Sequence, residues 1–277
     1  MKRETIQITS FRVIALFFFL LHFSTFSVRS QHRFEIIAHR GASAYAPENT
    51  LAAFKKAIDL GATMLELDIH QTKDSQIVVV HDETINRTTN GKGKIKNLSL
   101  AEIKSLDAGS WFSSAFAGER IPTLQDVFDG MPDSITLLIE LKAGSEKYPG
   151  IEKRVARIIR ERKTEHRVIL KSFDDEVLFR LHHLAPDIPR LKIIVTQFFG
   201  IIIEHGLNFG TVLDDSVQYL EHHWFGLTEG FIEDAHKKGF KVFAWDVDDK
   251  DRMQGLIEKG IDGIETDHPN WVRPLLR

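Results

Sequence analysis

A chain of 277 residues, 43% hydrophobic and 27% charged, with 18 glycines and 8 prolines, has ordinary globular composition and a length that suits one large α/β domain. The absence of cysteine excludes disulfide scaffolds, thiolate-bound metals and thiol nucleophiles. Thirty-six basic against 39 acidic residues give a net charge of −3, without the basic excess that a nucleic-acid backbone demands, so nucleic acid is not an expected partner.

The first thirty residues differ in kind from the rest. Lys2, Arg3 and Arg12 lead into the apolar run Val13 to Phe26, and the polar stretch Ser27 to Gln31 follows. This is the order of a secretory signal peptide, with Val28 and Ser30 at the −3 and −1 places and cleavage expected before Gln31. The run is short for the roughly 30 Å of hydrocarbon that a membrane anchor must cross. Loss of residues 1–30 takes away four basic residues (Lys2, Arg3, Arg12, Arg29) and one acidic (Glu4), moving the net charge from −3 to −6. The expected product is a soluble chain exported to the periplasm or the exterior, with residues 31–277 as its one domain.

From Phe34 onward, short β-branched runs alternate with amphipathic stretches. Residues 34–38 read as a strand and 49–60 as a helix, with Asn49 available as its cap. Residues 63–70 read as the next strand, joined by the turn Lys73-Asp74-Ser75 to a shorter hairpin partner at 76–80. Residues 83–122 break the rhythm and read as an insertion at one end of the fold, with a short helix near 99–105 and an aromatic loop, Trp111 to Phe116. Alternation then resumes, with strands expected at 135–141, 168–172, 191–195, 216–221, 240–245 and 263–266. Helices at 228–238 and 250–259 each stop at a glycine, Gly239 and Gly260. Hairpin partner aside, eight strand-helix units are the arithmetic of a (β/α)8 TIM barrel rather than of an open doubly wound sheet.

In such a barrel the chemistry collects where strands end at the C-terminal mouth. The first strand ends in His39-Arg40-Gly41, the second carries Glu66-Leu67-Asp68, the hairpin ends in His81-Asp82, and the third barrel strand carries Glu140-Leu141-Lys142. Strand residues two apart share a face, so Glu66 and Asp68 point together into the barrel. Crowding them with Glu140 costs several kcal/mol unless a cation intervenes. Three carboxylates without a thiol suit one hard dication, magnesium or calcium; the bland alternative is a salt-bridge network neutralised by Arg40 and Lys142. Two histidines fit the proton transfers of phosphodiester cleavage, and Arg40 and Lys142 suit its phosphate oxygens. His182-His183 and His222-His223 are expected to be surface or core residues.

Together these motifs, with Ala46-Pro47-Glu48-Asn49-Thr50, Arg87-Thr88-Thr89, Ile121-Pro122-Thr123-Leu124, Ser172-Phe173-Asp174 and the run Gly263 to Pro269, resemble the glycerophosphodiester phosphodiesterase family from about residue 34 to 271. The resemblance implies hydrolysis of glycerophosphodiesters to glycerol 3-phosphate and an alcohol, with His39 and His81 as the acid/base pair. It implies Glu66, Asp68 and Glu140 as metal ligands and Arg40 and Lys142 as phosphate binders. Cyclic-phosphate formation by a glycerol hydroxyl and direct attack by water both satisfy the scheme, and the insertion at 83–122 would shape one side of the mouth.

Two departures stand out. Where the family commonly has Trp-Thr-Val-Asn, this chain has Trp245-Asp246-Val247-Asp248; Trp245 is expected to pack on the glycerol carbons, and the two aspartates to add acidity near the mouth. The run Phe198 to Ile203 is unusually apolar. It reads as a buried helix turn or, if exposed, as a weak lipid contact favouring a lysophospholipase D-like activity. Two other functions fit a barrel of this kind: Schiff-base chemistry on Lys142, disfavoured by the adjacent Glu140, and non-catalytic glycerophosphodiester binding, disfavoured because no ligand or histidine is missing.

Overall fold

The computed structural model describes residues 33–194 and 216–276. Its frame begins with β1 (Glu35–Ala38), α1 (Leu51–Asp59), β2 (Met64–Gln71) and β3 (Ile77–Val79). The inserted stretch holds α2 (Leu100–Lys104), and then come α3 (Leu124–Gly130), β4 (Thr136–Leu141), α4 (Ile151–Arg162), β5 (Val168–Ser172), α5 (Asp175–Leu184) and β6 (Arg190–Ile194). The last part runs β7 (Tyr219–His223), α6 (Glu229–Lys237), β8 (Lys241–Trp245), α7 (Lys250–Glu258), β9 (Gly263–Thr266) and α8 (Pro269–Val272).

Eight of the nine strands among the described residues pair in parallel in the order β1-β9-β8-β7-β6-β5-β4-β2, and β1 pairs with β2, so the sheet closes on itself. The ninth, β3, lies antiparallel on the end of β2, as the hairpin reading requires. This is the (β/α)8 barrel expected from the strand count. The candidate at 198–203 lies outside the described residues, as does the segment 1–30. Among the described residues no helix is long and apolar enough to cross a membrane.

The barrel is filled in layers. Ile37, Met64, Leu138, Ile169, Leu191, Ile193 and Phe243 form an apolar interior cluster. Toward the C-terminal ends of the strands the inward residues turn ionic: Glu66, Lys171, Glu221 and Glu265, each 2% exposed or less, and then Asp68 and Glu140. A larger apolar shell, with Phe54, Leu65, Leu137, Val155 and Leu170, joins sheet to helices outside. The insertion packs Ile85, Ile95, Ile103, Ala108 and Ile121 against Val78 and Val80 of the hairpin in a small cluster apart from the main core. Its loop is tied by Asp107, whose carboxylate accepts backbone N–H groups of Gly109, Ser110 and Gly118 and is held well below the usual carboxylate range by them.

Local chemistry sets the bend that opens the site. After β1, Arg40 (φ +54°) and Gly41 (φ +84°) both adopt left-handed backbone, and a Cβ on Gly41 would lie 2.7 Å from the Ala53 backbone carbon, so only glycine fits there. Non-glycine Arg40 accepts its strain, a cost of order 1 kcal/mol, because its N–H donates to Glu66 Oε2 at 2.9 Å and its carbonyl accepts from the Asn49 N–H. The cap of α1 is Thr50, whose hydroxyl accepts from Ala53 N–H, rather than Asn49. Asn49 is itself left-handed (φ +56°), and its side-chain amide donates to Asp68 Oδ2 at 2.8 Å.

Candidate active site

Of the eight sequence-derived residues, His39, Arg40, His81, Glu140, Lys142 and Trp245 lie at the C-terminal ends of strands or just beyond them, and Glu66 and Asp68 lie within β2. Glu66 and Asp68 project from β2 and Glu140 from β4, where parallel pairing sets Asp68 level with Glu140. One oxygen from each of the three lies within 4.8 Å of the others, and all three side chains are buried. An all-carboxylate set of this spacing fits a hard divalent cation, and the three would hold it. Burial and the Asp68 charge push the Glu140 carboxyl up to about 7, and burial also raises Glu66 against the pull of Lys171. Burial would raise Asp68 too, but Lys142, Arg40 and the Asn49 amide hold it well below the carboxylate range. Two protonation-prone acids beside one firm anion are what a cation on this trio would relieve.

The basic residues cross this cluster. Lys142 Nζ is 2.9 Å from Glu140 Oε1 and 3.4 Å from Asp68 Oδ1, and Arg40 Nε is 3.5 Å from Asp68 Oδ2. The salt-bridge network considered from sequence therefore exists, on the residues that would serve the metal and the phosphate. Burial opposes charge on Lys142, but the carboxylates raise it, which keeps its amine protonated and removes the Schiff-base alternative.

Both histidines are pinned at Nδ1 by an aspartate. His39 Nδ1 donates to Asp267 Oδ1 at 2.8 Å, and Ser43 Oγ donates to the same oxygen at 2.6 Å. His81 Nδ1 donates to Asp82 Oδ1 at 2.8 Å. With Nδ1–H committed, each ring keeps Nε2 for chemistry. Burial alone would lower the His39 imidazole, yet the Asp267 hydrogen bond, with Glu66 and Asp246 nearby, raises it to about 9.

Around His81, Arg87 donates through Nε and an amino nitrogen to Asp82 and through both amino nitrogens to Glu48, whose Oε1 also accepts from Arg40. This chain of charges links the two histidine corners across the mouth. Beneath it, buried His70 donates from Nε2 to the His81 carbonyl at 3.0 Å, which leaves Nδ1 to accept from Tyr148 O–H at 2.8 Å. Burial lowers His70 to about 4, so it stays neutral and holds the His81 backbone.

Trp245 ends β8 in a row of rings: Phe173 stands edge-on to it at 6.0 Å and His223 at 5.3 Å, and Lys142 lies 5.8 Å from the Phe173 ring centre. His223, read from sequence as a surface or core residue, thus belongs to the rim, whereas His222 is buried. Of the two aspartates beside Trp245, only Asp246 faces the site, 3.6 Å from His39 Nδ1. Asp248 accepts instead from Thr266 O–H and the Asp267 N–H, so it braces the end of β9 rather than adding acidity to the mouth.

Sequence reasoning missed a buried group below the trio. Lys171 on β5 places Nζ 2.8 Å from Glu265, 3.0 Å from Glu221 and 3.5 Å from Glu66. Parity was the available signal: the register Asp68 to Glu140 to Lys171 puts all three on one interior face.

The chain matches the sequence profile of the Glycerophosphoryl diester phosphodiesterase family over residues 39–271. It is 44% identical over 245 residues to a glycerophosphodiester phosphodiesterase of Caldanaerobacter subterraneus subsp. tengcongensis, covering 87% of this chain and 97% of that one. Its fold is similar to that of an Oleispira antarctica phosphodiesterase solved with the product sn-glycerol-3-phosphate (TM-score 0.76, 29% identity, 87% of this chain and 95% of that one). It is also similar to a glycerophosphodiester phosphodiesterase of Agrobacterium tumefaciens (TM-score 0.74, 28% identity, 87% and 99% covered). By profile, sequence and fold, the chain belongs to the glycerophosphoryl diester phosphodiesterase family.

Proposed function

We propose that this chain is a metal-dependent phosphodiesterase that hydrolyses glycerophosphodiesters to glycerol 3-phosphate and an alcohol. One juxtaposition carries the reading: three buried carboxylates within 4.8 Å of one another, beside two imidazoles each held at Nδ1 by an aspartate. The product bound by the Oleispira antarctica relative supports the same substrate class.

A phosphodiester is anionic and its alkoxide leaves poorly, so cleavage needs positive charge on the phosphate oxygens, a proton acceptor and a proton donor. Glu66, Asp68 and Glu140 would hold magnesium or calcium, which would supply Lewis-acid charge at the phosphate. Arg40 offers a fork and Lys142 a point charge; both are partly exposed at the mouth and release the carboxylates as phosphate arrives. His39, kept protonated by Asp267, delivers a proton from Nε2 to the departing oxygen. His81 accepts the proton of the attacking oxygen at its own Nε2, with Asp82 stabilising the imidazolium that forms. Trp245 packs against the carbon skeleton at the rim.

Residues 1–30 act as an export signal in this proposal, on the strength of their basic, apolar and small-residue order. The decisive assay offers glycerophosphocholine, glycerophosphoethanolamine and glycerophosphoglycerol in turn, with magnesium, calcium or chelator. Release of glycerol 3-phosphate that chelator abolishes is expected; metal-independent turnover, or none on any member of the panel, would refute the assignment.

A further inference from the structure

Lys171 is a fully buried ammonium with no part in the reaction as derived. It is 2% exposed, and its three partners, Glu66, Glu221 and Glu265, come from three different strands of the barrel. Glu66 belongs to two trios whose ligand atoms lie within 4.8 Å of one another: the outer one with Asp68 and Glu140, and an inner one with His39 and Glu265. The inner trio, taken alone, has the spacing of a second cation position beside the first. Glu221 adds a carboxylate to it, with Oε1 buried and lacking a hydrogen-bond partner. Yet Lys171 Nζ already stands against Glu265, Glu221 and Glu66.

Formal charge points the same way. Five acidic side chains, Glu66, Asp68, Glu140, Glu221 and Glu265, are buried in this cluster, and Lys171 is the cation buried with them, whereas Arg40 and Lys142 reach the cluster from the partly exposed mouth.

We propose that Lys171 is a resident cation standing in the place of a second metal ion: its ammonium fills the inner position between Glu66, Glu221 and Glu265 and so fixes the centre as a one-ion site. This rests on the metal-site reading above. Lys171 is a positioning residue here. It meets neither substrate nor ion, and it holds the inner oxygens so that Glu66 serves the outer trio alone.

The test is ion stoichiometry rather than activity. Chelator-stripped full-length protein is titrated with Mn2+ by calorimetry, and the saturated sample is examined by electron paramagnetic resonance for coupling between neighbouring ions. Wild type is expected to take up about one ion per chain with an uncoupled signal. Lys171→Ala, which removes the ammonium and leaves space, is expected to take up about two, magnetically coupled through Glu66. Lys171→Met, which removes the charge but keeps the volume, is expected to stay at one.

A Lys171→Ala protein that binds one ion as wild type does would overturn the inference while leaving the metal site intact. Wild type that binds no ion would defeat the metal-site reading itself, and wild type that binds two would defeat only the inference. If Lys171→Ala fails to fold in chelator, the account expects it to fold in saturating Mn2+; failure there too contradicts the exchange of ion for ammonium.

Discussion

The two histidine corners of the mouth are built on one plan and differ in surroundings. Each imidazole gives Nδ1–H to an aspartate at 2.8 Å and presents Nε2. His39 is 14% exposed and has Asp246 and Glu265 within 4 Å as well as its own Asp267. His81 is 30% exposed, and its aspartate is shared with the Arg87 guanidinium. Identical pinning meets unequal charge: surplus negative charge retains a proton on His39, whereas the aspartate of the other corner is divided between His81 and Arg87.

The broadest way to break this comparison is to remove each ring. His39→Ala and His81→Ala are each expected to lower kcat by about a thousandfold, in the range of lost general acid or base catalysis, with little change in melting temperature. A mutant that keeps wild-type turnover would remove that histidine from the chemistry. The pinning acids sharpen the contrast. Asp267→Asn is expected to cost about a hundredfold and Asp82→Asn about tenfold, because Arg87 still bridges to Glu48 in the latter. The imidazole resonances should follow: in metal-free protein His39 titrates near 9, and Asp267→Asn moves it down toward 6.5. Since the folded value is raised, the stability that this pair contributes is fully present below 6.5 and lost as pH rises through about 9.

The scaffold under His81 sets an effect on stability rather than on turnover. His70 is lowered to about 4 by burial, so the unfolded chain binds its proton more readily, and stability declines as pH falls from 6.5 toward 4. His70→Gln is expected to flatten that slope in urea melts taken at pH 4.5 and 7, a difference of roughly 2–3 kcal/mol if the full shift is expressed. An unchanged slope would mean that His70 is not the group responsible.

Most of the site was legible because it sits in short motifs at strand ends, where Glu-x-Asp and Glu-x-Lys put charge on the interior face of otherwise apolar runs. The strand count gave the barrel for the same reason, since each parallel strand is a compact β-branched run. Lys171 and Glu221 escaped notice because each is a single charge inside a strand, and only the closed barrel brings β5, β7, β9 and β2 around one point. Asn49 and Thr50 both suit a helix cap by type, and only the left-handed bend at Asn49 turns its amide to Asp68 and leaves the cap to Thr50. Sequence alone places Asp248 with the mouth acids, because its position against the end of β9, which aims it at Thr266 and Asp267, is a tertiary fact.

The central claim is that Glu66, Asp68 and Glu140 gather around one ion beside the two rings. Crystals soaked in Mn2+ and measured at its absorption edge test it most directly. The account expects one anomalous peak per chain, roughly 2.0–2.6 Å from an oxygen of each of the three carboxylates. No peak there, or a peak held by other residues, would contradict it.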